Sequence, residues 1–277
     1  MTDIATTAPL PRFQPASATG PGGAAFRAIL GRDLLVLRHG LVAFIVQVAV
    51  QPLLLVFTFT YVLPHVAGSG FAGYGTLLLP GLMAATAFST GISAVTTPLA
   101  LDLGGTREID DRALAPISIS TLALEKILIG AVYAWISGLL VIPIAMLVSA
   151  NPIELHVQSW PVLVAALLLV GLTASALGLV IGTVVKPHQI GMLYGVFVIP
   201  IQFLGCTYYP WSALHDIPWV QALTLIDPLT YFSEATRAAI TSQVGHLPTG
   251  ISLGVTAILT VVLTWTGVRL LTRRIRT

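Results

Sequence analysis

The sequence predicts an all-α polytopic membrane protein, and three observations carry that prediction. Apolar runs of membrane-crossing length recur six times in 277 residues, charged residues make up only 9% of the chain against 56% hydrophobic ones, and the cations sort into alternate connections. A hydrocarbon core of roughly 30 Å takes about 20 helical residues, each rising about 1.5 Å. Soluble domains carry roughly 25% charged residues, so a soluble enzyme is excluded.

The six runs are 41–63, 76–100, 127–149, 161–184, 190–208 and 251–271. Of the 13 Lys and Arg residues, 12 fall where they share one face: Arg12, Arg27, Arg32, Arg38, Arg107, Arg112, Lys126, Lys186, Arg269, Arg273, Arg274 and Arg276. Arg237 alone falls on the other. Loop cations resist translocation, which predicts a multi-pass protein of the bacterial cytoplasmic (inner) membrane with both termini in the cytoplasm. The net charge of +2 is spread over loops and termini with no basic patch, so nucleic acid is not an expected partner. The single Cys206 matches no metal-ligand spacing and is expected to be a small buried hydrophobe.

In chain order, residues 1–23 are rich in Ala, Thr, Pro and Gly and lack the basic lead and apolar centre of a signal peptide. They are expected to form a disordered cytoplasmic tail, ahead of a single transmembrane domain over 24–277. Residues 24–39 set Phe26, Ile29, Leu30, Leu34 and Leu37 at near-helical spacing among Arg27, Arg32, Asp33 and Arg38. That pattern fits an interfacial helix on the inner leaflet, or the basic flank of the first span.

In the first span Gln47 and Gln51 are four apart and share a helical face. An amide facing lipid would lack partners, so this face is expected to point at protein or a water-filled path. Thr86, Ser89, Thr90, Ser93 and Thr97 draw a hydroxyl stripe along the second span, as suited to helix packing as to a conduit. Gly171, Ser175, Gly178 and Gly182 share one face of the fourth span and predict close helix packing. The fifth span is short and broken by Pro200.

Between the fifth and sixth spans, Tyr208 to Leu247 carries Tyr208, Tyr209, Trp211, Trp219, Tyr231 and Phe232 with three prolines. Aromatics of this density suit an interfacial depth, so an external re-entrant helical hairpin is expected, with a compact external cap as the alternative. Asp227, Glu234 and Arg237 form a candidate external polar cluster. Glu234 and Arg237, three apart, are either an ordinary surface pair of small energy, the plainer reading, or a functional lock.

The most polar stretch lies between the second and third spans. Asp102, Arg107, Glu108, Asp110, Asp111 and Arg112 precede Ala115-Pro116-Ile117-Ser118. This is either a docking element or a generic charged turn.

With Thr106-Arg107-Glu108-Ile109-Asp110-Asp111-Arg112 ahead of Pro116, and with Tyr209-Pro210 ahead of Asp227-Pro228-Leu229-Thr230-Tyr231 and Glu234-Ala235-Thr236-Arg237, the chain resembles the type-2 permease subunits of ATP-binding-cassette exporters. That group includes the daunorubicin-resistance permeases, and the resemblance runs from about Ala24 to Arg276. It implies six transmembrane helices, an N-terminal interfacial helix, a cytoplasmic coupling helix and an external hairpin before the last span. It also implies outward movement of an amphipathic or hydrophobic solute, whether drug, lipid or lipid-linked glycan. Arg107, Glu108, Asp110, Asp111, Arg112 and Pro116 would seat in a separate ATPase subunit, which would hold the ATP and Mg. A second permease copy or paralogue would complete the assembly within membrane lipid. Gln47, Gln51, Thr86, Thr90 and Ser93 are the candidate translocation path, placed between protomers because one chain's few polar residues enclose no evident route.

Motifs of other classes are missing. Gly182-Thr183-Val184-Val185-Lys186 lacks the spacing of a phosphate-binding loop, so no ATPase activity and no cofactor are expected of this chain. An ion-coupled secondary transporter would hold charge at mid-membrane, yet the first five runs contain no Asp, Glu, Lys, Arg or His. Glu125 and Lys126, at the edge of the third run, are expected to snorkel to the interface. Ser93 has no His within a span to act as base, which disfavours an intramembrane protease, and no His-Glu-x-x-His run suggests a metal site. A non-transporting scaffold remains the other alternative; it would tolerate loss of Gln47 and Gln51.

Overall fold

The computed structural model describes residues 22–67, 74–106, 118–149, 157–241 and 244–276, and every regular element among them is helical. Helix α1 (Gly22–Phe57) passes through a π-helical turn at Thr58–Val62 into α2 (Leu63–Ala67). Helix α3 (Tyr74–Leu101) ends in a second π turn, Asp102–Thr106. Then come α4 (Ile119–Val148) and α5 (Trp160–Val184). A broken segment follows, made of α6 (Ile190–Leu193), a π turn at Tyr194–Val198 and α7 (Ile199–Leu204). Helices α8 (Pro218–Thr224), α9 (Pro228–Ile240) and α10 (Thr249–Arg276) complete the order.

The starts of these helices are written locally. The Ser118 hydroxyl accepts the Thr121 amide at 3.1 Å and caps α4, while Asp227 accepts the Leu229 amide at 2.8 Å ahead of Pro228 and caps α9. A side-chain oxygen there replaces a partner that the first turn of a helix lacks, and proline costs nothing where no amide is needed.

Among the described residues, five stretches are long and apolar enough to cross a membrane: Leu30–Val66, Tyr74–Gly104, Ile119–Val148, Trp160–Val184 and Thr249–Ile275. The fifth predicted run, 190–208, is helical only over Ile190–Leu204 and carries a π turn within that length. At about 1.5 Å per residue such a segment reaches about 22 Å, less than a hydrocarbon core. Pro200 has no amide to donate, and the widened turn just before it is where the helical ladder adjusts.

The N-terminal expectation also changes. Residues 24–39 were expected either as a separate interfacial helix ahead of a span from 41 or as the basic flank of that span; α1 is unbroken from Gly22 to Phe57, so the separate helix is replaced by the flank. No proline intervenes before Pro52, and Gly40 has open space around it, so nothing at the expected junction ends the helix. The helix also begins inside the predicted tail of 1–23, of which residues 1–21 lie outside the described chain.

Helix α3 is the axis of the bundle. In its most apolar window 78% of residues are buried, against 11% for the α1 span and 17% for α10. It packs against α4, α5 and α9, while α1 leans chiefly on α4 and α10 on α5. Close approach follows from small residues: a Cβ on Gly178 would stand 2.7 Å from the Ile92 carbonyl oxygen, and one on Gly182 would stand 3.1 Å from the Thr96 backbone. Thr96 donates across the same seam to the Gly178 carbonyl at 3.1 Å. In lipid, where apolar association has little solvent driving force, such backbone proximity and interhelical hydrogen bonding hold helices together.

Between the broken segment and α10, α8 and α9 make a helical pair of unequal burial. Trp219 on α8 is 72% exposed, whereas Leu229, Phe232 and Ala239 on α9 are within 1% of full burial. Helix α9 belongs to the bundle core and α8 to its surface.

Gly178→Ala is expected to lower the melting temperature of the detergent-solubilised protein, because an Ile92 carbonyl cannot rotate away and overpacking costs about 1–3 kcal/mol. Gly254→Ala on α10, where nothing lies within 4 Å, is expected to leave it unchanged or higher.

Candidate functional site

Helices α1, α3, α4 and the α6–α7 segment surround a cleft of about 730 Å³. Gln47 and Gln51 reach it from α1, Thr86, Ser89, Thr90, Ser93 and Thr97 from α3, Tyr133 from α4, Tyr194 from the π turn and Gln202 from α7. All five path candidates, Gln47, Gln51, Thr86, Thr90 and Ser93, therefore converge on one space. Their spacing explains it: residues three and four apart share a helical face, and the two faces oppose each other.

The hydroxyl stripe bonds its own helix and also borders the cleft. Ser89 donates to the Thr86 carbonyl at 3.2 Å and Ser93 to the Thr90 carbonyl at 3.0 Å, so these protons satisfy their own helix. Their oxygens nonetheless line the cleft. On the opposite side Gln51 Nε2 donates to Gln202 Oε1 at 3.0 Å, tying α1 to α7. Phe44 meets Tyr133 edge-to-face at 4.9 Å, tying α1 to α4 beneath.

A second cavity of about 430 Å³ shares Ala94 and Tyr133 with the first. Its lining is charged. Arg32 bonds Asp33 at 2.9 Å, Lys126 bonds Asp33 at 3.2 Å, and Lys126 stands 3.8 Å from Glu125. The expectation that Glu125 and Lys126 snorkel outward is corrected here, since they are 1% and 9% exposed. Lys126 reaches inward to Asp33 because an ion kept from water needs an opposite charge within reach.

The external cluster is corrected as well. Glu234 and Arg237 are not a surface pair: both are fully buried on α9 and bonded to each other. The pair is also a junction, with Glu234 accepting the Trp211 amide at 3.1 Å and the Leu247 amide at 3.0 Å, and Arg237 donating to the Cys206 carbonyl at 3.0 Å. One helix thus gathers the end of the broken segment, the loop before α8 and the approach to α10. Cys206 is buried as expected, and its backbone takes a φ of 52°, a left-handed conformation that a non-glycine residue holds only when its surroundings impose it. Asp227 does not join the pair; it caps α9, and burial pushes its carboxyl up to about 7 against the opposing pull of the Leu229 amide.

The six coupling candidates, Arg107, Glu108, Asp110, Asp111, Arg112 and Pro116, lie outside the described residues. The chain enters that stretch from the π turn Asp102–Thr106 and leaves it at the Ser118 cap. Sequence inspection also passed over Gln202 and Tyr194. Gln202 carried the same signal as Gln47 and Gln51, a lone amide in an apolar run, and is 7% exposed.

A sequence model of the family described as ABC-2 type transporter matches residues 24–241. No curated protein and no solved structure matches the chain.

Arg237→Met is expected to destabilise the protein by about 3–5 kcal/mol, because it strands the Glu234 carboxylate in a dry site. Adding Glu234→Gln should recover much of that loss, which thermal melts of the single and double variants will read.

Proposed function

Because the chain belongs to the ABC-2 type transporter family, we propose that it is the permease subunit of an exporter that moves an amphipathic or hydrophobic solute outward through the α1/α3/α7 cleft. It is a multi-pass membrane protein and a permease domain; subunits of this kind carry no ATPase motif and pair with an ATP-binding subunit. The observation that carries the route is the convergence of Gln47, Gln51, Thr86, Thr90 and Ser93 on a single cleft. A scaffold has no use for amides and hydroxyls gathered in one space within a membrane, where each must find a partner.

The finer features follow from the same proposal. The chain lies in a bacterial inner membrane with both termini cytoplasmic, and the α6–α7 segment serves as the fifth of six spans, shortened and flanked by the α8–α9 re-entrant pair. The apolar flanks of the cleft support a second permease copy or paralogue opposite it: Val46 and Val50 on α1 and Phe197 before α7 are 61%, 53% and 59% exposed. Arg107, Glu108, Asp110, Asp111, Arg112 and Pro116 form the element that seats in the ATPase. Joined in sequence to both α3 and α4, that element converts closure of the ATPase pair into a tilt of the two helices that wall the cleft. The solute then meets the outward opening in place of the inward one.

Co-expression with the ATPase encoded beside the gene, followed by purification on a tag carried by the permease, tests the pairing. Wild type is expected to retain the ATPase, and Glu108→Ala with Asp111→Ala to lose most of it. Failure of the wild type to retain any ATPase activity would overturn the proposal.

A further inference from the structure

Resting on the transport reading above, we infer that the cleft selects amphiphiles with an uncharged head rich in hydroxyl or amide groups, and rejects those with an ionic head. The lining decides this. Among the described residues around the cleft there is no Asp, Glu, Lys, Arg or His, while three glutamines and a row of hydroxyls converge there. An amide offers two donors and an acceptor with two lone pairs, and a hydroxyl offers one donor and two lone pairs. Such groups pair with sugar hydroxyls or amides in either direction and supply no counter-charge to an ion.

The charges nearest the cleft are already committed. Lys126 and Arg32 both bond Asp33 in the adjoining cavity, beyond Tyr133. With Glu125 3.8 Å from Lys126, these two cations stand against two carboxylates, so an ion entering the cleft would lose its hydration without gaining a partner. Two further features orient a guest. The Gln51–Gln202 bond uses one donor of Gln51 and the acceptor of Gln202, leaving the acceptor edge of the first and the donor edge of the second on the same amide pair. Phe44, Val48, Val198 and Ile199 line the same space with hydrocarbon, matching an alkyl chain attached to the polar head. Gln202 is 7% exposed, so its orientation is fixed by packing and the pair is preformed.

The test uses the full permease–ATPase complex in lipid nanodiscs and four probes with one tail: octyl glucoside, N-octanoyl-N-methylglucamine, octyltrimethylammonium and octyl sulfate, each below its micellar concentration. ATP hydrolysis is read against probe concentration for wild type, Gln51→Leu, Gln47→Leu and Gln202→Leu. The two uncharged probes are expected to change hydrolysis saturably and the two ionic ones not to, with Gln51→Leu raising the half-maximal concentration of the uncharged probes about fivefold, the loss of one neutral hydrogen bond. Equal responses to all four heads, or a stronger response to an ionic head, would overturn the inference while leaving the permease assignment intact. An unchanged response in both Gln51→Leu and Gln47→Leu, which sit at exposed positions and should fold whatever Gln202→Leu does, would overturn it too. Absence of a complex with ATPase activity is the separate failure of the transport reading.

Discussion

The backbone of α5 lies against that of α3 with almost nothing between them, and the rest of the bundle is arranged around that seam. Gly178 leaves room for the Ile92 carbonyl, Gly182 leaves room for the Thr96 backbone, and Gly91 on α3 receives Ala174 from α5. Lipid offers no hydrophobic reward for bringing helices together, so contact has to come from dispersion at short range and from bonds such as Thr96 to the Gly178 carbonyl. With α3 enclosed on this side by α5 and on its neighbouring face by α4, only its hydroxyl stripe is left to meet a cleft. The stripe faces α1 because the opposite side of the helix is already filled.

The looser elements stand around this seam and depend on polar ties. Helix α1 reaches the bundle through the Lys126–Asp33 ion pair, the Phe44–Tyr133 ring contact and the Gln51–Gln202 bond, while most of its surface is unpacked. On the far side Glu234 and Arg237 fix three separate stretches of chain to α9. A buried ion pair contributes little net stability against a hydrophobic substitute. Its value here is positional, because the two side chains bring three backbone stretches, at Cys206, Trp211 and Leu247, to one point on α9.

Patterns along one helix were legible in the sequence. The Gln47/Gln51 face, the Thr86 to Thr97 stripe and the glycine face of α5 follow from 3.6-residue periodicity, and each lies where periodicity puts it. Of the six predicted runs, 161–184 matches Trp160–Val184 closely, 76–100 and 251–271 fall inside Tyr74–Gly104 and Thr249–Ile275, 127–149 starts well inside Ile119–Val148, and Leu30–Val66 contains 41–63. What was not legible depends on partners distant in sequence. Glu234 and Arg237, three apart, read like an exposed pair, since nothing nearby tells that Trp211, Cys206 and Leu247 surround them. Lys126 read like a snorkelling cation because Asp33 lies ninety-three residues away. The apolar and basic spacing of 24–39 fitted an interfacial helix as well as the flank of the first span, but a helix ends where its hydrogen bonds end, and α1 runs on through Gly40.

Helices α3 and α4 carry one face of the cleft and α1 and α7 the other, and the proposed transport cycle moves these two faces against each other. The most direct measurement is the reactivity of a cysteine at position 51 toward a water-soluble maleimide, in the assembled complex, without nucleotide and trapped with ATP. The one native cysteine, Cys206, is buried and gives no background. Alternating access predicts labelling from the cytoplasmic side without nucleotide and protection from that side when ATP is trapped. Equal labelling rates in the two states would contradict it.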